Sequence, residues 1–74
     1  MRVRVRVSDR ELVDDLLDFL RRRECAAERV ESTTDVVEVS PPHTLHEHQA
    51  EMELDLLLRV WEALHPGATV ERAG

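Results

Sequence analysis

The sequence predicts an α+β domain: an antiparallel sheet of four short strands with two helices on one of its faces. Three observations predict it. The chain opens on "MRVRVRVSD", in which Arg2, Arg4 and Arg6 alternate with Val3, Val5 and Val7. Two stretches repeat apolar residues at helical spacing, one closing at Arg23 and one at Leu64. Valine-rich runs bounded by turn-forming residues lie between and after them.

Residues 2–7 alternate at period two with β-branched valine on one side, the pattern of a strand with one buried and one wet face. "SDRE" follows, where Ser8 and Glu11 have capping-box spacing and Val7 and Leu12 that of a hydrophobic staple. A helix is therefore expected from about Asp9. Its apolar residues Leu12, Val13, Leu16, Leu17, Phe19 and Leu20 share one face. Acids crowd its start and Arg21 to Arg23 close it, an order that complements the helix dipole. "CAAERVESTTDVVEVS" has no helical stripe, and its polar centre reads as a turn between strands at about 25–30 and 35–40. Pro41 and Pro42 stop the second of these.

Thr44 and Glu47 repeat the capping-box spacing, so a second helix is expected over 45–64. Ala50, Leu54, Leu57, Leu58, Trp61 and Leu64 are its expected inner face, and His65, Pro66 and Gly67 end it. "ATVERA" alternates again and gives a last strand. The order β-α-β-β-α-β matches a ferredoxin-like plait with strand order 4-1-3-2. The valines of the first strand then face the helices, and the arginines face away.

"VSDRELVDDLLDFLRRRECAAERV" resembles the first strand, helix and second strand of an ACT domain, a small regulatory plait that often dimerises and binds amino acids. That family commonly carries Asp-Arg-Pro-Gly-Leu where the helix begins. Asp9 and Arg10 match, but Glu11 and Leu12 follow directly and the Pro-Gly is missing. The resemblance implies a regulatory module, and with the arginine row it implies a sensor of a small anionic metabolite.

Seventy-four residues are enough for one domain with a compact core and no deep cavity. Hydrophobic residues at 42% against 35% charged describe a globular rather than a disordered chain. One cysteine, Cys25, excludes an internal disulfide and suits a reducing compartment. No run reaches the roughly 18 apolar residues of a membrane span, so the expected location is the cytoplasm, with no membrane partner. Ten arginines with no lysine or isoleucine suggest a GC-rich bacterial source. A net charge of −6 and the lack of exposed-strand aromatics argue against a nucleic-acid partner.

Arg2, Arg4 and Arg6 are the candidate ligand-binding residues, because a guanidinium row can hold phosphate or carboxylate. Glu38 and Glu71 are expected beside them and would neutralise the row. His43, His46 and His48 suggest a metal cluster by composition only. His46 and His48 project about 200° apart on a helix, so no metal site is assigned. Glu47, Glu51 and Asp55 form an acidic row, which Arg21 to Arg23 are expected to match across the helix pair. Met52, Leu56 and Ala63 fall on the side of the second helix away from its inner stripe. Met52 and Leu56 are the candidate interface residues, with a homodimer or another protein as partner. Cys25 reads as a small buried residue, and no catalytic set or cofactor motif is present. The expected function is a non-catalytic module acting through self-association or protein–protein interaction.

Overall fold

The structure, a computed structural model, describes residues 2–41 and 46–73. Strand β1 (Val3–Val7) leads through a 3₁₀ turn (Arg10–Leu12) into helix α1 (Val13–Arg21). Strands β2 (Ala26–Arg29) and β3 (Val36–Ser40) follow, then helix α2 (Glu47–Leu64) and strand β4 (Val70–Arg72). The architecture is α+β, with a four-stranded sheet in the order β2-β3-β1-β4. Every neighbouring pair is antiparallel.

Register fixes which residues share a face. Val5 lies opposite Val37, Val3 opposite Val39, and Val7 opposite Val70, and this valine set packs against α1 and α2 in one core. Ala27, opposite Val39, extends it to β2. From α1 come Val13, Leu16, Leu17, Phe19 and Leu20; from α2 come Leu54, Leu58 and Trp61, the last wholly buried. The period-two alternation sends Arg2, Arg4 and Arg6 to the opposite, open face with Glu28, Glu38 and Glu71.

The start of α1 departs from the expected cap. Asp9 is the N-cap of the 3₁₀ turn that leads into it, and its Oδ1 accepts from the Glu11 amide at 3.0 Å. Ser8 is engaged elsewhere: its amide donates to Thr69 O at 2.9 Å, and its Oγ accepts from Thr69 N at 2.8 Å. Ser8 thus extends the β1–β4 ladder, so its hydroxyl is taken by a residue far away in sequence. The first turn tightens to 3₁₀ before the α-helix begins.

At the other end of α1, Glu24 adopts a left-handed φ of 64°. Its amide bonds to Arg21 O and that of Cys25 to Leu20 O, each at 3.1 Å, which is a Schellman ending with Glu24 in the glycine position. Cys25 then packs in the core with Leu20, as that motif favours. Residues 25–40 reverse as a hairpin: Val30 N donates to Val36 O, Ser32 turns at φ 72°, and Thr33 Oγ1 donates to Val30 O at 2.7 Å.

Helix α2 begins at Glu47 with His46 as N-cap, and Thr44 of the expected capping box lies outside the described residues. Its inner face is Ala50, Leu54, Leu58 and Trp61, with Leu57 half-buried. Leu64, expected on this face, is 62% exposed. His65 stacks on Trp61 with ring centroids 4.3 Å apart and covers the end of the core in its place.

Candidate functional site

The arginine row lies on the open sheet face, and each guanidinium meets a carboxylate. Arg2 and Arg4 flank Glu38 at 3.4 and 3.6 Å, because Arg4 and Glu38 are register partners on β1 and β3. Arg6 lies opposite Glu71, yet its Nε turns to Asp35 at 3.6 Å. These pairs are exposed and long, so each contributes at most about 1 kcal/mol. They still cancel the charge. Three arginines share the face with Glu28, Asp35, Glu38 and Glu71, so no net positive stripe remains. A shallow cleft of about 540 Å³ opens at its edge between Arg2, Arg4, Glu38, Glu51 and Arg72. Two of its five charged walls are acidic.

Of the histidines, His43 lies outside the described residues, while His46 and His48 are exposed at the start of α2. Among the described residues no group of three His, Cys, Asp or Glu could hold a metal ion. Cys25 is 4% exposed. Burial pushes its thiol up, the charge of Glu53 adds to this, and Arg23 opposes it. A thiol kept protonated and enclosed is a packing group rather than a nucleophile.

One polar constellation escaped the sequence reading. Asp15 of α1 accepts from Trp61 Nε1 at 2.9 Å and lies 2.8 Å from His65 Nε2, through the same oxygen. His65 Nδ1 in turn lies 2.9 Å from Trp61 O. Each ring nitrogen of His65 therefore faces a protein oxygen at hydrogen-bond distance rather than open solvent. The cluster clips α1 to the end of α2. Its members lie up to 50 residues apart, and no local spacing signals it.

The arginines closing α1 do not cross to α2 as expected. Arg21 donates to Ala27 O at 3.0 Å, Arg22 pairs with Asp18 at 3.0 Å, and Arg23 stacks 3.7 Å over Phe19. Arg22 and Arg23 are absorbed on their own helix, and Arg21 by the neighbouring strand β2. The acids of α2 find other partners: Arg59 reaches Glu62 at 2.6 Å and Asp55 at 3.6 Å, and Arg72 of β4 lies 3.9 Å from Glu51.

What α2 leaves uncovered is apolar. Among the described residues, the large exposed hydrophobics are Met52 (62% exposed), Leu56 (57%), Val60 (39%) and Leu64 (62%), and all four belong to this helix. They recur every fourth residue and so form a single ridge on its outer side. Met52 and Leu56 are the two singled out from the sequence, and Val60 and Leu64 extend the line. The remainder of the ordered surface carries no comparable row among the described residues. No described helix is long and apolar enough to cross a membrane. Comparison with family models, curated proteins and solved structures finds no match to this chain.

Proposed function

We propose that this chain is a non-catalytic, ferredoxin-like module that acts by associating with other protein surface through the outer face of α2. The observation that carries the reading is the ridge Met52, Leu56, Val60 and Leu64. Exposed apolar residues scattered singly are ordinary, but four in one helical row on a domain this small form a contiguous patch of the kind used for contact. The core is already complete without them, since Leu54, Leu58 and Trp61 fill the inner side of the same helix.

The ACT-like sensor reading, in which Arg2, Arg4 and Arg6 hold an anionic metabolite, has weaker support. An incoming anion would have to displace Glu38 and Asp35, which already face those guanidiniums. An amide-resolved spectrum of the isotope-labelled protein, dilute, concentrated and in cell extract, tests the two readings together. Shifts or broadening centred on Met52, Leu56, Val60 and Leu64, and lost in Leu56→Glu, are expected. Changes centred on Arg2, Arg4 and Arg6, or none under any condition, would overturn the association reading.

A further inference from the structure

The outer ridge of α2 has a charge setting as well as a shape, and this inference rests on the reading of that ridge as the contact surface. Helix α2 contains Glu47, Glu51, Glu53, Asp55 and Glu62 against one arginine, Arg59. Five negative charges less one positive put −4 on this helix, out of −6 for the whole chain. Residues four apart form rows, so the row beside the ridge on one side is Glu47, Glu51, Asp55 and Arg59. On the other side it is Gln49, Glu53 and Leu57. Carboxylates thus border the apolar line on both sides over its first half. Arg59 is occupied by Glu62 and Asp55, and Glu47 and Glu53 have no ion pair among the described residues.

A second copy would answer the shape but not the charge. Under a two-fold axis, parallel α2 helices would bring the same acidic borders together. Antiparallel ones would set each acidic half against a second half whose single cation, Arg59, is already held by Glu62 and Asp55. A helix of net negative charge against its own copy is selected against. The geometry points to an occupant of another kind: an amphipathic helix from a different protein, apolar every fourth residue and flanked by lysine or arginine. Two such four-residue ridges interdigitate at about −50°. The apolar row would supply the contact, and the acidic borders would supply choice of partner and rate of encounter.

Calorimetric titration of the full chain with two synthetic amphipathic peptides tests this. The peptides share one leucine row at four-residue spacing and differ only in flanking residues, lysine in one and glutamate in the other. The lysine peptide should bind at least about tenfold more tightly than the glutamate peptide, with a gap that narrows as salt rises. Leu56→Ser and, independently, Met52→Ser should each weaken that binding severalfold, whereas Glu28→Ser on the open sheet face should not. Equal binding of the two peptides, or a Leu56-dependent dimer of the protein alone that excludes both, would overturn the charge assignment and leave α2 as the contact face. Binding of the lysine peptide that ignores both Leu56→Ser and Met52→Ser would overturn the contact face as well. Failure of the lysine peptide to bind would overturn the proposed partner.

Discussion

Leu54 and Leu56 stand two residues apart on α2 and should respond to truncation in opposite ways. Leu54 is 1% exposed among the core side chains, and Leu56 is 57% exposed. Removing a buried leucine side chain to alanine costs about 2–5 kcal/mol, through lost transfer energy and the cavity left behind. A domain of this size has a total stability of roughly 4–11 kcal/mol, at about 0.05–0.15 kcal/mol per residue. Leu54→Ala therefore removes a large fraction of it. Leu56→Ala deletes atoms already in water and substitutes the best helix former, so its cost should stay within about 0.5 kcal/mol of zero. Urea denaturation followed by Trp61 fluorescence measures both. With a slope near 1 kcal/mol/M, the low end for small proteins, Leu54→Ala should move the midpoint by about 2 M or more. Leu56→Ala should move it by less than about 0.5 M. Equal losses would mean that the outer ridge is part of the core, and the case for a contact surface would fail.

Glu62 and Asp15 each predict a distinct loss. The Val70 amide, donating at 2.7 Å, holds the Glu62 carboxyl below the usual range, and Arg59 adds to this against a desolvation cost. A lowered carboxyl stabilises the fold above its ordinary pKa of about 4.3 and loses that contribution as pH falls through the lowered value. Glu62→Gln should therefore be less stable than wild type at neutral pH, and urea midpoints measured at decreasing pH should converge. Asp15→Ala removes the acceptor shared by Trp61 and His65 and leaves the buried Trp61 N–H without its partner. A loss of about 1–3 kcal/mol is expected, read by the same urea titration, with a shift of Trp61 emission as an independent sign that the clip has opened.

The parts of the fold written in local periodicity were legible in the sequence. Alternation in residues 3–7 assigned valine to the core and arginine to the open face, and the valine run over 36–39 placed the second arm of the hairpin. The inner stripe of α2 was readable up to Trp61, the last of its side chains to be wholly buried. Leu64 departed from the pattern because His65, the next residue, closes the core by stacking on Trp61. Ser8 was misread for a different reason: its partner Thr69 lies at the far end of the chain. Arg21 to Arg23 were misread for the opposite reason: their partners Ala27, Asp18 and Phe19 are near in sequence, and the expected pairing across to α2 was not needed. In the candidate surface, Met52 and Leu56 were visible as residues off the inner stripe. Val60 sits at its margin, and only the exposures of Val60 and Leu64 reveal a continuous row.

The outer face of α2 is proposed as the surface that other protein covers, and Met52 reports on it directly. Its exposed thioether oxidises to the sulfoxide in dilute peroxide, and mass spectrometry follows the rate against a reference methionine placed on the open sheet face by Glu28→Met. In the isolated, dilute protein the two methionines should oxidise at similar rates. In concentrated extract of its own cells Met52 should slow severalfold relative to the reference, and Leu56→Glu should abolish the difference. Equal rates at both positions in extract would contradict the account.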